Sequence, residues 1–269
     1  MFCQKVTSSL SSLSSLSSSL PSSLSSLIEN SSEGHSLVLY RNLEDGALEL
    51  KWLDAGARER PYRIDFSSYL SKRQESAKSE LVSKAVGKID SDSTVIDLTA
   101  GIGRDSITLA AAGHNVIMVE RNPILFALLQ DALNRLKKEN NAITSRVNLF
   151  KYDSTAFGNN KQSLAHVLNS KVTVYLDPMY AEESVGKKAA VKKETQILHR
   201  VLGLEEGNNE ENNTNLMTSA VQLANQRVVV KRALNAKALS NLRPHHQILG
   251  KTQRFDVYLK NQKIVEDKL

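Results

Sequence analysis

From residue 94 to the end, short apolar segments alternate with stretches of helical periodicity, and few folds accommodate that order. The segments TVIDL (94–98), NVIMVE (115–120), RVNLF (146–150), VTVYL (172–176) and RVVVK (227–231) are rich in β-branched residues and short enough for buried strands. Between them lie GRDSITLAAAG, a helix ended by Gly113, and PILFALLQDALNRLKK (123–138), a helix with proline in its first turn. KQSLAHVL reads as a short helix and AAVKKETQILHRVLG as a longer one. EEGNNEENNTN (205–215) reads as an acidic, asparagine-rich surface loop, followed by a helix into 227–231, and RFDVYLKN as a last strand. Strands apolar on both faces, joined by amphipathic helices, imply an α/β sandwich around a mainly parallel sheet. In such a sheet ligands sit at the carboxyl ends of the strands, so those ends are where function is sought.

Upstream the pattern changes. Residues 8–27, SSLSSLSSLSSSLPSSLSSL, are of low complexity. Leucines at 10, 13, 16, 20, 24 and 27 would draw one stripe on a helix, but serine is a poor helix former and Pro21 interrupts it. Residues 1–33 are therefore expected to be a disordered or weakly helical leader, and its serines break any apolar signal-peptide core. Residues 36–53 hold two alternating runs around LEDGA, a hairpin signal. They predict a small β-rich N-terminal unit over 34–72, ahead of the main domain at 73–269. A helix over 75–86 would end at Gly87.

Composition sets the outer limits. Of 269 residues 41% are apolar and 24% charged, as in ordinary globular chains. No apolar run approaches the roughly 20 residues needed to span a bilayer. The single cysteine, Cys3, excludes an intramolecular disulfide framework and suits a reducing cytosol, so a cytoplasmic protein is expected. The net charge of +6 permits a polyanionic partner such as RNA without requiring one.

The first strand runs into DLTAGIGRDS. Gly101 and Gly103 let the backbone bend and let a ligand approach, although the same pair serves any tight strand-to-helix turn. Ser106 stands where the dinucleotide fingerprint has its third glycine. Asp97 would repel a pyrophosphate and suits a cofactor carrying positive charge, such as S-adenosylmethionine. Glu120, at the end of the second strand, is placed to accept ribose hydroxyls, a device shared by NAD enzymes and methyltransferases; a helix N-terminal acid would look the same. Asp153 and Ser154 follow the third strand as candidates for the adenine edge, where turn chemistry would select them too.

The fourth strand ends in Asp177-Pro178-Met179-Tyr180. An exocyclic base amine is a poor nucleophile because its lone pair is delocalised. A carboxylate that accepts its N–H holds the nitrogen in line and stabilises the charge it gains. Tyr180 can stack on the base. Met179 replaces the second proline usual in amine methyltransferases. An ordinary aspartate, with a pKa near 4, is too weak to strip the neutral amine first, so Asp177 positions and polarises.

Over residues 36–260 the segments IDF, DLTAGIGRDS, ERNP, VYLDPMY, VKKE, RVVVKR and RFDVY resemble the ribosomal RNA small subunit methyltransferase J family. That resemblance implies a class I, Rossmann-like S-adenosylmethionine-dependent methyltransferase sandwich acting on a guanine N2 of 16S rRNA. Its partner would be the rRNA or the 30S subunit, with no metal and no membrane. It implies cofactor contacts from Arg104, Asp105, Glu120, Arg121, Asp153, Ser154 and Asp177, beside Asp97, Gly101 and Gly103, with Asp177, Pro178 and Tyr180 catalytic. Lys192, Lys193, Lys231, Arg232 and Arg254 become candidates for phosphate contacts. Each is also an ordinary surface cation taken singly. His245-His246 lacks companion metal ligands and reads as a loop pair. An adenine-N6 methyltransferase would use the same motif, and a nicotinamide-dependent oxidoreductase would share the fold. A non-enzymatic RNA-binding protein would have little use for the amine-orienting group.

Overall fold

A computed structural model of the chain describes residues 27–30, 36–52, 60–73, 75–159, 171–178, 201 and 210–260. The chain divides into two compact units, Met1–Tyr62 and Arg63–Leu269.

The first unit is a three-stranded antiparallel sheet of β1 (Leu27–Asn30), β2 (Ser36–Arg41) and β3 (Leu48–Trp52) in that order. The β2–β3 hairpin forms where Asp45-Gly46 announces it. Gly46 takes φ +72°, and its N–H donates to the Asn42 carbonyl at 2.9 Å. Asp45 Oδ1 accepts from the Ala47 amide at 3.0 Å, the side-chain-to-backbone bond that favours aspartate in turns. Tyr62 exchanges two backbone bonds with Leu50, at 2.7 and 2.8 Å. Strand β1 has no pattern of its own that announces it; its backbone pairs with the edge of β2, Leu27 opposite Leu39.

The second unit opens with helix α1 (Phe66–Ser71), capped by Asp65, whose side chain accepts from the Ser68 amide at 2.9 Å. The helix expected over 75–86 is interrupted. A 3-10 turn, Ala77–Ser79, is followed by α2 (Leu81–Val86), because Glu80 adopts extended dihedrals between them. Gly87 closes α2 at φ +100°.

Seven strands follow: β4 (Ser93–Asp97), β5 (Asn115–Glu120), β6 (Val147–Lys151), β7 (Lys171–Leu176), β8 (Arg227–Ala233), β9 (His246–Leu249) and β10 (Gln253–Leu259). Their order across the sheet is β6-β5-β4-β7-β8-β10-β9. The first five are mutually parallel, and β10 runs antiparallel to both β8 and β9. Helix α3 (Arg104–Ala112) links β4 to β5; α4 (Pro123–Glu139) and the single turn α5 (Asn141–Thr144) link β5 to β6; α6 (Glu210–Leu223) precedes β8. Strand order reverses at β4, so β4 and its neighbours form the switch point where such sheets bind ligands.

Helix α4 illustrates how sequence sets an element. Asn122 Oδ1 accepts from the amides of Ile124 and Leu125 at 2.9 and 3.1 Å, Pro123 fills the first position, and Lys137 and Lys138 face the negative end. Leu125, Leu128, Leu129, Ala132 and Leu136 recur every three or four residues and are buried. Helix α6 begins inside the stretch read as a loop. Glu210, Glu211 and two asparagines form its polar first turn, while Leu216, Met217, Ala220 and Leu223 pack on the sheet. The segments KQSLAHVL and AAVKKETQILHRVLG lie outside the described residues, apart from Val201.

Packing fixes which face each strand residue presents. Ile96, Leu98, Val174, Leu176, Val228 and Val230 join α6 in one buried cluster. Because side chains alternate along a strand, Asp97, Tyr175, Asp177 and Lys231 fall on the opposite face. Register places Asp97 beside Tyr175, and Leu176 beside Val230, so Asp177 and Lys231 leave the sheet together. No helix among the described residues is long and apolar enough to cross a membrane.

Candidate active site

The turn from β4 to α3 contains two glycines held for different reasons. Gly103 has φ +75°, and a Cβ there would lie 2.7 Å from Leu129 Cδ2 and 2.9 Å from Phe66 Cζ. Gly101 has φ +56°, and its Cβ would meet only the Thr99 carbonyl at 3.8 Å. Gly103 is thus demanded by packing, whereas Gly101 leaves an open side where a ligand can approach the backbone.

Two carboxylates brace this turn. Glu120 Oε2 accepts from the Gly101 amide at 2.7 Å and Oε1 from the Asn122 amide at 2.8 Å, tying the β5 end to the glycine turn. Asp97 is buried. Its Oδ2 accepts from Ser106 Oγ at 2.6 Å, and its Oδ1 accepts from the Thr99 amide at 3.0 Å and Thr99 Oγ1 at 3.4 Å. Burial raises its pKa to about 7 against the pull of those donors, and the charges of Asp105 and Asp177 add to the rise. Asp97 therefore acts as an internal brace, a role different from the ligand contact expected of it. Ser106 replaces the fingerprint's third glycine because its hydroxyl reaches back to Asp97.

At the β7 end the chain builds a second network. The Asp177 amide donates to Thr99 Oγ1 at 2.6 Å. Lys231 Nζ donates to Asp177 Oδ2 at 2.8 Å and to Asp105 Oδ2 at 2.7 Å, and Tyr175 donates its hydroxyl to the same Asp105 oxygen at 2.5 Å. The Asp177 side chain remains 38% exposed and Lys231 20%. Burial pushes the Asp177 carboxyl upward, Lys231 and Arg232 pull it down, and the like charge of Asp105 raises it. For Lys231 burial works against the charge, but the two carboxylates outweigh it and hold the ammonium well above lysine's usual range. The Tyr175 phenol is likewise raised, by burial and then by Asp105 and Asp177. The arrangement leaves Asp177 Oδ1 with no donor among the described residues.

The other expected residues separate into two groups. Ser154 is buried and donates to the Leu98 carbonyl at 2.5 Å, while Asp153 stays exposed, its Oδ1 accepting from the Thr155 amide and hydroxyl. Arg104 lies at the start of α3 with its guanidinium 5.3 Å from the Tyr69 ring centre, and Arg121 is exposed after β5. Pro178 is half-buried beside Asp177. Tyr180, Lys192 and Lys193 lie outside the described residues.

Of the expected phosphate contacts, two are corrected. Lys231 is bound between carboxylates. Arg254 is buried, its Nε on Asp256 Oδ1 at 2.9 Å and its Nη1 on the carbonyls of Ala233 and Leu234 at 2.9 and 2.7 Å, so it anchors β10. Arg232 donates Nε to the Lys237 carbonyl at 2.9 Å and stays near Asp177. His246 belongs to β9, and His245 Nδ1 accepts from the Leu259 amide at 3.1 Å, so the pair helps fasten the sheet edge.

The sequence does not mark Thr99 or Tyr175 as site residues, and it marks Lys231 only as a candidate phosphate contact. Strict alternation in VTVYLDP does put Tyr175 and Asp177 on one face, a signal that could have found the tyrosine.

The donor set fits a cationic nucleoside cofactor. Asp105 and Asp177 lie close to the glycine turn, which leaves room at Gly101 but not at Gly103, and Glu120 marks the adjoining strand end. Residues 24–260 match a family described as putative SAM-dependent methyltransferases. Over 227 residues, 81% of either chain, the sequence is 37% identical to a protein of Idiomarina loihiensis named ribosomal RNA small subunit methyltransferase J. The chain belongs to this methyltransferase J family. A Francisella tularensis subsp. novicida protein of the same name is 39% identical over 184 residues, covering 67% of this chain and 71% of that one. A crystal structure of a SAM-dependent methyltransferase from Neisseria gonorrhoeae superposes with a TM-score of 0.60 and 27% identity, covering 90% of this chain and 86% of that chain. As a family member the protein is an S-adenosylmethionine-dependent methyltransferase with a Rossmann-like fold.

Proposed function

We propose that this methyltransferase modifies the exocyclic N2 of a guanine in 16S rRNA, bare or within the 30S subunit. The supporting observation is the Asp177 carboxylate at the β7 end, half exposed, fixed at Oδ2 and its own amide, and unpartnered at Oδ1 among the described residues. The names of the relatives supply the substrate class. The base and the atom are inferred from the Asp-Pro-Met-Tyr motif and its family resemblance.

Bound S-adenosylmethionine supplies a methyl carbon made electrophilic by its positively charged sulfur. The backbone at Gly101 would hold the methionine part, Glu120 would accept from the ribose, and Asp153 with Ser154 would border the adenine. Arg104, Asp105 and Arg121 flank it, and Asp97 holds the turn from beneath. Asp177 Oδ1 accepts one N–H of the guanine amine, fixing nitrogen in line with the methyl and stabilising the charge that nitrogen gains. The chemistry the bound cofactor would supply is transfer of its methyl to that nitrogen, with the C–S electron pair going to sulfur and one amine proton to water. Pro178 and Tyr180 shape the base slot, Tyr180 by stacking. Lys192, Lys193 and Arg232 contact the RNA backbone.

The direct test is transfer of labelled methyl from S-adenosylmethionine to 30S subunits and bare 16S rRNA lacking the modification, followed by digestion to nucleosides. The label should appear in N2-methylguanosine. Label in N6-methyladenosine would overturn the choice of base, and none in RNA would overturn the substrate.

A further inference from the structure

We propose that Lys231 is a positioning residue for methyl transfer. Its ammonium, held between Asp105 and Asp177, keeps Asp177 charged and fixes one carboxylate oxygen so that Oδ1 is left to accept the substrate amine. This inference rests on the reading of Asp177 as the amine acceptor. Residue type alone does not separate Lys231 from the neighbouring Arg232, but the structure does. Strand alternation turns Lys231 toward Tyr175 and Asp177, away from the face occupied by Val228 and Val230. Its Nζ lies 2.7 Å from Asp105 Oδ2 and 2.8 Å from Asp177 Oδ2. A compact ammonium with three rotatable donors can serve two carboxylates at such distances, whereas a planar guanidinium would impose its own fork geometry.

The charges explain why the site needs it. Asp105 and Asp177 carry two negative charges and Lys231 one positive, a balance of −2 + 1 = −1 beside the place of a cationic cofactor. The charged groups acting on Asp177 are Lys231 and Arg232 from β8 and Asp105 from α3; Asp177 in turn acts on Tyr175 of its own strand and on Asp97 of β4. Without the ammonium two carboxylates would face each other with no bridging cation, and one would take up a proton. A protonated Asp177 would lose the charge that stabilises the amine nitrogen as its bond to carbon forms. It could also rotate, since only Lys231 fixes Oδ2 among the described residues. Thr99 holds the backbone of Asp177 but not its carboxylate.

The test is a carbon-13 titration of the aspartate carboxyls in the full chain, with the Asp177 signal assigned by its loss in Asp177→Asn. Lys231→Gln should raise the Asp177 midpoint by about one pH unit or more. The acid limb of single-turnover methyl transfer to unmodified 30S subunits should rise with it. Lys231→Arg keeps the charge and should hold the midpoint near the wild-type value. Asp105→Asn, which removes the competing carboxylate, should move the midpoint the other way, and it serves if the Gln variant does not fold. An Asp177 midpoint that neither Lys231→Gln nor Asp105→Asn moves would overturn the inference. If Asp177→Asn turns over as fast as wild type, it is the amine-acceptor reading that fails; the titration judges Lys231 separately.

Discussion

At the scale of single residues, the two glycines of the turn make opposite predictions. Gly103→Ala forces a Cβ against Leu129 and Phe66 at positive φ, so it should lower stability by about 2 kcal/mol or more, read from urea unfolding. Gly101→Ala meets no side chain. Its strain at φ +56° should cost about 1 kcal/mol, while calorimetry should show S-adenosylmethionine binding weakened at least tenfold. Equal stability losses with unchanged cofactor affinity would contradict the assignment of the open side. Glu120→Ala removes the brace on Gly101 and the ribose acceptor together, so cofactor affinity should fall, and unchanged affinity would reject that role. The sequence made both glycines and Glu120 visible because turn chemistry is local. It could not separate the glycines, since the Cβ clash at Gly103 comes from Phe66 and Leu129, residues 37 positions before and 26 after it.

At the scale of elements, boundaries were legible where a cap is written into the chain. Strand β5 and the start of α4 fall where the residues place them, and Asn122→Ala should destabilise α4 by about 1 kcal/mol, as an N-cap does. Elements set by pairing or by distant packing were not legible. Strand β1 takes its conformation from the edge of β2, β9 from the edge of β10, and the first turn of α6 is helical because the apolar residues after it dock on the sheet. Arg254 shows the same limit. An arginine opening a strand gives no hint that its guanidinium folds inward onto Asp256, which is fully buried. Arg254→Ala should cost about 3–5 kcal/mol because it strands that carboxylate, and thermal unfolding would show it. A surface cation in contact with RNA would instead leave stability unchanged.

At the scale of the whole molecule, the buried brace couples folding to pH. Folded Asp97 keeps its proton to about pH 7, whereas the unfolded chain releases it near 3.8. Between those values the native state binds the more protons. The stability this group contributes is complete below about pH 4 and is lost as pH rises toward 7. Asp97→Asn lacks that slope, so its stability relative to wild type should improve across the interval by a few kcal/mol, roughly. Urea midpoints from pH 4 to 8 would show it, and a constant difference would contradict the burial of a titrating carboxyl.

The central claim is that the β7 end presents an amine acceptor beside the cofactor turn, and one paired measurement reaches it most directly. Asp177→Ala is compared with wild type in single-turnover methyl transfer to unmodified 30S subunits, with S-adenosylmethionine affinity measured on the same preparations. The account predicts that transfer falls about a hundredfold or more while affinity changes only a few-fold. Transfer at the wild-type rate would contradict it.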